Sequence, residues 1–444
     1  MFRCSATACG SRARAVMKVL YHSFCWLSLG NVTKVMEFAF ERTAHPYRRE
    51  KQRMCLRISA TFQKPLPKFQ NPCYNSPINT RKKDLKMQDP TIQMIKDLSD
   101  AFGASGFEDD VTKVARKYAE DFTSHIEEDS IRNIYLHKAE NEGNKPVIML
   151  DAHSDETSFI IQAIRPNGTM EFLPLGGWVP NTVPAHKVKI KNKEGKLISG
   201  VVASTPPHYT AGPLSGGDTR IDQMLIDVGA TSKEEVINDF KIGIGSPVVP
   251  DVEMEYNEVN GVCLGKAFDC RIGCAVVLET MRRLAGKKLN LDVVGTLSSQ
   301  EEIGERGAKV AVDHVKPAIA IVFEGAPADD TFMPEYKIQT GLHRGPMLRH
   351  MDRSMITNPR FIRYAIDTAE ELGIPVQEAV RSGGGTNGAM IHVANGGVPT
   401  IVLSVPVRYT HSHHCYTAMD DFEKAVQLSM AIVEKLDAET NQGF

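Results

Sequence analysis

Short apolar runs alternate with amphipathic stretches along residues 90–444 of the chain. Four runs are compact enough to be buried strands, namely residues 145–152, 289–299, 318–325 and 398–407. Apolar residues recur at helical spacing between or after them, in Ile272–Leu284, Ala308–Val315, Pro359–Leu372 and Asp421–Leu436. Two further helices, Thr91–Phe102 and Phe107–Ser124, are predicted ahead of the first strand. This alternation predicts an α/β fold, with a mixed sheet flanked by helices on both faces.

Residues 158–257 interrupt the alternation. Short strand patterns and Pro/Gly punctuation fill the segment PLGGWVPNTVPAHKVKIKNKEGK, and the helical pattern is limited to a short stretch at Ser232–Asp239. We therefore predict a small β-rich domain, residues 158–257, inserted into an α/β domain that comprises residues 87–157 and 258–444.

Residues 1–86 differ in composition from the rest of the chain. They hold 17 Lys and Arg against four Asp and Glu, although the whole chain has a formal net charge of −2. This basic extension is interpreted as a translated segment that is disordered or not native, as a transit segment, or as a basic arm for nucleic acid or anionic surfaces. Its apolar stretch, VLYHSFCWLSLG, is too short and too polar to span a membrane.

Cysteine usage points to a reducing compartment. Five of the nine cysteines fall within residues 1–86, and the other four show no disulfide-framework spacing. The expected location is cytoplasmic, or organellar if residues 1–86 act as a transit segment.

Imidazoles and carboxylates stand where the predicted strands end. They are His153, Asp155 and Glu156 after the first strand, Glu301 and Glu302 after the second, Glu324 at the end of the third, His411 beyond the fourth, and Asp269 in a loop before a helix. Because open α/β sheets bind ligands at the carboxyl ends of their strands, we expect these side chains to gather at one edge.

The residue types in this set suit a pair of divalent ions. Imidazole nitrogens and carboxylate oxygens are the ligands that such metals take in proteins. Metal charge also explains how several carboxylates tolerate one another. A solvated turn would explain the adjacent pair Glu301 and Glu302 taken alone. At a strand end, however, one of them can bind metal while its neighbour accepts a proton from an activated water.

Several ordered segments resemble the cocatalytic metallo-aminopeptidase family that includes glutamyl aminopeptidase and the tetrahedral (TET) aminopeptidases. They include AHSDET, LGGWVPNTV, GKAFDCRIGCAVVLE, SSQEEIGERGA and GGGTNGAMIHVANGGVPTIVLSVPVRYTHS, and the resemblance spans roughly residues 87–436. It implies a hydrolase of the metalloprotease type that removes N-terminal residues from short peptides with the help of two divalent metal ions per subunit, usually zinc or cobalt.

The resemblance also implies a role for each candidate residue. The metal ligands would be His153, Asp269, Glu302, Glu324 and His411, with Asp269 bridging the two ions. The catalytic residues would be Glu301, as general base, and Asp155, which would orient His153. In the family, the inserted domain pairs subunits and dimers assemble into a hollow dodecamer. A homo-oligomer is therefore expected, with short peptides as partners and neither nucleic acid nor membrane.

The chain departs from the family pattern at a few positions. Cys270 stands where a second aspartate is usual, and its thiol is either a soft extra ligand or a neutral group packed beside the site. Glu324 stands where aspartate is usual. The extra histidines His413 and His414 either recruit another metal or line the mouth of the cleft.

Substrate choice and rival functions stay open at this point. Arg344, Arg381 and Arg408 either favour an acidic N-terminal side chain or serve structural roles. The alternatives to an aminopeptidase are another metal-dependent hydrolase on the same scaffold, such as a deacylase or a cellulase-type enzyme, and a metal-depleted assembly that only binds peptides. A sugar site is disfavoured because the chain has only Trp26 and Trp178 as indole platforms.

Overall fold

The computed structural model describes residues 89–204 and 220–444. The predicted basic extension, residues 1–86, lies outside the described residues. The described α-helices are α1 (Pro90–Asp100), α2 (Asp109–Ala119), α3 (Lys233–Asn238), α4 (Phe268–Leu284), α5 (Arg306–Val315), α6 (Pro359–Leu372), α7 (Gly388–Ile391), α8 (Met419–Lys435) and α9 (Ala438–Gln442). Short 3₁₀ helices lie at Pro180–Thr182, Ile221–Gln223, Glu335–Lys337 and Ala394–Gly396.

The described strands fall into a large sheet and a barrel. The sheet strands are β1 (Thr123–Glu128), β2 (Ile134–Lys138), β3 (Val147–His153), β10 (Glu255–Asn257), β11 (Val262–Gly265), β12 (Asp292–Ser298), β13 (Ile319–Pro327), β14 (Met347–Met351), β15 (Gln377–Val380), β16 (Thr400–Arg408) and β17 (Cys415–Ala418). The barrel strands are β4 (Ser158–Ile164), β5 (Met170–Leu175), β6 (Lys187–Lys191), β7 (Leu197–Val202), β8 (Ile226–Asp227) and β9 (Pro247–Pro250).

The centre of the sheet is parallel and its edges are antiparallel. Strands β12, β3, β13 and β16 run side by side in the same direction. Antiparallel strands β2 and β1 extend the sheet beyond β12, and β17, β11 and β10 extend it beyond β16. Strand β14 pairs antiparallel with β16 and parallel with β15. The predicted fold class, a mixed sheet flanked by helices, is confirmed.

Alternate residues of the central strands face two separate cores. On β13, Ile319, Ile321 and Phe323 pack in a core shared with α4 and α8, whereas Ala320 and Val322 pack in a second core with α5. Successive side chains of a strand point to opposite faces, so a strand covered by helices on both faces is apolar along its whole length. This is why the four central strands are visible in the sequence as continuous apolar runs.

The predicted helix Phe107–Ser124 is wrong at its C-terminal end. Helix α2 ends at Ala119, and Thr123–Glu128 forms β1, which pairs antiparallel with β2. The six-residue strand is at most half-buried. Its conformation is therefore set by pairing with β2 rather than by a local apolar pattern.

The barrel closes in the order β4, β5, β8, β7, β6, β9. Its interior holds the side chains of Phe159, Phe172, Ile190 and Val248. All its strands come from residues 158–250, between β3 and β10 of the sheet. The segment therefore builds a core of its own, as the predicted insertion requires. The domain boundaries at 158 and 257 stay a prediction.

A buried ion-pair network joins the end of β3 to the start of α4. The Lys266 ammonium donates to both carboxylate oxygens of Glu156, at 2.6 and 2.7 Å, and the Arg271 guanidinium lies 3.3 Å from the same carboxylate. Arg271 Nη1 and Nη2 also donate to backbone carbonyl groups within residues 98–103. Glu156, which follows β3 with His153 and Asp155, is thus a structural residue.

Replacing Glu156 by alanine is expected to lower the free energy of unfolding by about 3–5 kcal/mol, because two buried cations lose their counter-charge. Thermal unfolding followed by circular dichroism would show the lower midpoint. Glu194→Ala is the matched control, since Glu194 and Lys196 form an exposed ion pair with side chains 47% and 72% accessible. Equal midpoints for the two variants would contradict a supporting role for Glu156.

Within residues 89–204 and 220–444, no helix is both long enough and apolar enough to cross a lipid bilayer.

Candidate metal centre

The structure brings the predicted metal ligands together at the carboxyl edge of the parallel strands. His153 ends β3, Glu324 lies in β13, Glu302 follows β12, Asp269 is the second residue of α4, and His411 follows β16. His153 Nε2 lies 3.2 Å from Asp269 Oδ1 and 3.8 Å from Glu324 Oε2. His411 Nε2 lies 3.3 Å from Asp269 Oδ2 and 3.8 Å from Glu302 Oε2.

Asp269 faces two imidazoles with two different oxygen atoms. One oxygen points at His153 and the other at His411. Burial would raise the pKa of Asp269, but hydrogen bonds from these two imidazoles outweigh it and hold the pKa below its usual range. The carboxylate therefore stays ionised and offers one oxygen to each half of the cluster.

Left-handed backbone at non-glycine residues surrounds the cluster. Ala267, two residues before Asp269, has φ of 55°, and Gln300 and Glu305, which flank the acidic pair, have φ of 54° and 49°. His411 itself has φ of 58°. Such conformations are strained for residues with a Cβ and are concentrated at functional sites, where the surrounding structure imposes them. Here they turn the chain sharply enough to aim side chains back into the cavity.

Asp155 is fully buried and holds the backbone of the acidic pair. Its Oδ1 accepts the Glu301 backbone N–H at 2.9 Å, and its Oδ2 accepts the Glu302 backbone N–H at 3.2 Å and the Ser105 hydroxyl at 2.6 Å. Its Oδ1 also lies 3.3 Å from His153 Nδ1, within ion-pair distance. Asp155 thus acts on the backbone as well as on the imidazole. No local pattern in the sequence signals these backbone contacts.

The tautomer of His411 follows from a contact with the segment after β5. His411 Nδ1 lies 2.7 Å from the Gly177 carbonyl oxygen, which can only accept a hydrogen bond. Nδ1 therefore keeps its proton when a metal ion displaces the proton of Nε2, the atom that faces Asp269 and Glu302. Gly177 belongs to the LGGWVP segment. Its role was missed from the sequence because every residue has a carbonyl group.

Among the described residues, the groups around the acidic side chains of the cluster do not carry enough positive charge to compensate them. Burial raises the pKa of Glu302 to about 8, and it raises the pKa of Glu301 and Glu324 well above the usual range. The neighbouring imidazoles of His153 and His411 lower these pKa values, but by less than burial raises them. Buried carboxylates are costly unless a cation compensates them, and nitrogen and oxygen atoms from several of these residues lie within 4.8 Å of one another. The donor set therefore fits divalent metal ions.

Cys270 is a neutral thiol beside the cluster. Its Sγ donates a hydrogen bond to the Phe323 carbonyl oxygen at 3.2 Å, and burial raises the pKa of the thiol well above its usual range. The sulfur does lie within 4.8 Å of ligand atoms from His153, Asp269 and Glu324. Of the two interpretations made from the sequence, this geometry favours the packed neutral thiol.

A cavity of about 560 Å³ opens onto the cluster. One part of its lining is the cluster itself, and another part comprises Glu305, Arg349, Arg381 and the glycine-rich segment 382–385. This volume is in the range of small-molecule sites.

His413 does not line the cavity, so the interpretation that it lines the mouth of the cleft is wrong for this residue. Its side chain is buried and stacks on His186 with ring centroids 3.9 Å apart, and Trp178 covers it at 5.2 Å. Burial lowers the pKa of His413 to about 3. His413 is therefore a neutral aromatic packing residue that supports the loop carrying His411.

Comparison with known proteins identifies the family of this chain. Residues 133–428 match the family model described as M42 glutamyl aminopeptidase. The chain is 32% identical over 346 residues to a glutamyl aminopeptidase of Lactococcus lactis subsp. cremoris (strain MG1363), an alignment covering 78% of this chain and 96% of the relative.

Solved structures give the same result. A TET aminopeptidase from the marine sediment archaeon Thaumarchaeota archaeon SCGC AB-539-E09 superposes with a TM-score of 0.76 at 34% identity, covering 80% of this chain and 99% of that one. The Pyrococcus horikoshii TET1 peptidase, which can assemble into a tetrahedron or a large octahedral shell, superposes with a TM-score of 0.70 at 26% identity, covering 78% and 100%. The chain therefore belongs to the M42 glutamyl aminopeptidase family and is a metal-dependent aminopeptidase, a hydrolase of the exopeptidase type.

Proposed function

We propose that this aminopeptidase holds two divalent metal ions per subunit and removes N-terminal residues from short peptides. The observation that carries the proposal is the position of Asp269, whose two oxygens lie 3.2 and 3.3 Å from the Nε2 atoms of two different histidines. A carboxylate placed between two imidazole ligands is suited to bridge two ions.

The remaining ligands divide between the two halves of the cluster. His153 and Glu324 would complete one ion's set, and His411 and Glu302 would complete the other, with Asp269 common to both. Two imidazoles and three carboxylates suit zinc or cobalt. When bound, such ions lower the pKa of a water molecule and polarise a carbonyl group.

Glu301 is proposed as the general base. Its carboxylate lines the cavity, and its Oε2 lies 3.9 Å from His153 Nε2, whereas the neighbouring Glu302 carboxylate lies beside His411. Glu301 would accept a proton from the attacking water and pass it to the leaving amine. The bond from the Glu301 backbone N–H to Asp155 keeps the base in position.

We also propose a homo-oligomer built from dimers and reaching a dodecamer. Exposed apolar side chains on the described part of the barrel support pairing through that domain, among them Leu173 at 42%, Leu197 at 47% and Ile244 at 76% exposure. The assembly of the P. horikoshii peptidase into closed shells supports the higher state.

A cytoplasmic location is proposed, with short peptides as partners and without nucleic acid or membrane. The four cysteines in the described residues, Cys263, Cys270, Cys274 and Cys415, are unpaired and buried, which suits a reducing compartment. The organellar alternative depends on residues 1–86, which lie outside the described residues.

Metal removal tests the function directly. After treatment with a chelator, the full-length protein is expected to lose release of N-terminal residues from a panel of short peptides, and added Zn, Co or Mn is expected to restore it. Peptides with an acetylated N-terminus, and N-acyl amino acids, serve as matched controls that should stay intact. Cleavage of the N-acyl compounds would favour the rival deacylase, and full activity without metal would contradict a metal-dependent function.

A further inference from the structure

Among the described residues that line the cavity away from the metal cluster, the charged groups are two arginines and one glutamate, Arg349, Arg381 and Glu305. Both arginines are already ion-paired. Arg349 Nη1 donates to the buried Asp352 at 3.0 Å, and Arg381 Nη1 donates to the buried Asp329 at 2.9 Å. Neither guanidinium brings uncompensated positive charge to the cavity.

The other two arginines that could favour an acidic substrate are no better placed. Arg408 forms two bonds to Asp330, at 2.9 and 2.6 Å, and lies outside the residues that line the cavity. Arg344 also lies outside that lining. Of the two alternatives left open by the sequence, acidic specificity therefore has no unpaired cation among the described residues of the cavity lining to support it.

Glu305 differs from these groups because its charge is unpaired. Within the described part of the chain, its carboxylate has no hydrogen-bond or ion-pair partner. Its backbone N–H bonds the Glu301 carbonyl at 2.9 Å, and its left-handed conformation, with φ of 49°, fixes the direction of the side chain. Burial raises the pKa of Glu305, and the nearby charge of Asp352 raises it further, as expected for a carboxylate without a positive neighbour.

The glycine-rich segment makes room for this carboxylate. A Cβ atom added to Gly385 would lie 2.7 Å from Glu305 Oε1. No atom of the described residues lies within 4 Å of a Cβ added to Gly383 or Gly384, so these residues leave open space beside the carboxylate. The head of an incoming side chain can therefore reach Glu305 without displacing another side chain.

We propose that Glu305 selects peptides whose N-terminal residue carries a basic side chain, lysine or arginine, a specificity that rests on the aminopeptidase function proposed above. A lysine ammonium or an arginine guanidinium supplies the positive charge that Glu305 lacks. An acidic side chain meets an unpaired carboxylate and two neutralised arginines. The lactococcal relative is named for glutamyl residues, so this chain would differ from it in substrate.

A pair of matched substrates isolates the effect that a positive charge on the N-terminal side chain has on kcat/KM. Lysine and norleucine side chains are similar in length, but only lysine carries an ammonium group. With coumarin amides of both and the metal-loaded, full-length enzyme, we expect kcat/KM to be about 10–100 times higher for the lysyl than for the norleucyl substrate, as charge-assisted hydrogen bonds provide. Glutamyl amide should be the poorest of the set.

Variants assign the preference to one residue. Glu305→Gln is expected to reduce the lysyl-to-norleucyl ratio of kcat/KM by about tenfold or more, and Glu305→Lys to reverse it and to raise the glutamyl-to-norleucyl ratio. Glu335→Gln removes the same charge from an exposed 3₁₀ helix outside the cavity lining and should keep the wild-type ratio. Metal content and thermal midpoint are measured in parallel, so that a misfolded variant is recognised.

The outcomes distinguish a failure of the specificity proposal from a failure of the aminopeptidase function on which it rests. If no aminoacyl amide is cleaved after metal loading, the proposed aminopeptidase function fails. If norleucyl or glutamyl amide is cleaved as well as lysyl amide by the wild-type enzyme, the specificity proposal fails and the function stands. An equal loss of lysyl and norleucyl activity in a folded Glu305→Gln enzyme also overturns it. The wild-type comparison decides by itself if the variants do not fold.

Discussion

Replacing Glu301 by glutamine is expected to lower kcat by about 10²–10⁴-fold while metal stays bound, because glutamine keeps the size of the side chain but cannot accept a proton. Glu301 lies at the cavity surface of the cluster, and its backbone is held by Asp155, so the substitution leaves its surroundings in place. Single-turnover and steady-state kinetics with a short peptide would measure the loss, and elemental analysis would measure metal.

The adjacent residue supplies the control. Glu302→Gln removes a carboxylate that lies 3.8 Å from His411 Nε2, and we expect it to lower metal content as well as activity. The two variants differ by one position and by no other chemistry. Retained turnover in Glu301→Gln, or loss of metal from it as severe as in Glu302→Gln, would remove Glu301 from the role of base.

Replacing Asp269 by alanine is expected to abolish activity and to reduce bound metal below one ion per subunit. Asp269 is the carboxylate that faces both histidines, so its removal weakens both halves of the cluster at once. Elemental analysis after gel filtration would report the stoichiometry. Thermal unfolding with and without added zinc would report binding independently, since a ligand of the folded state raises the midpoint.

Asp155→Asn is the graded comparison for that experiment. Asp155 faces His153 and holds the backbone of the acidic pair, but it is not itself among the proposed ligands. Residues in such supporting positions typically change metal affinity or activity by about 10–100-fold. A stoichiometry of two ions in Asp269→Ala would show that Asp269 is not the bridge, whatever the activity of that variant.

Much of the fold could be predicted because the composition of the central strands reflects their burial on both faces of the sheet. Strands β3, β12, β13 and β16 are buried on both faces, and each is therefore a continuous apolar run. Helix α6 was predicted with its observed bounds, since Asn358 caps it, Pro359 begins it and Gly373 ends it. The half-buried strand β1 was missed because only its pairing with β2 determines it.

The candidate site shows the same division. Strand ends that deliver His153, Glu302, Glu324 and His411 to one sheet edge could be listed from the sequence, because parallel strands end on the same side. Glu156 stands in the same short segment as His153, yet it pairs with Lys266 in the interior. Residue type was not enough to tell a ligand from a structural ion pair, because the partner lies 110 positions away along the chain.

The order of apolar runs and the residue types at their ends were enough to specify a mixed α/β sheet and an edge rich in imidazoles and carboxylates, since both follow from periodicity along the chain. Only the tertiary structure determined which charged and polar side chains have a partner. Arg381 forms an ion pair with Asp329, and His413 stacks on His186. The Glu305 carboxylate has no partner among the described residues. A charge acts through its neighbours in space, and those neighbours come from distant segments that local sequence cannot pair.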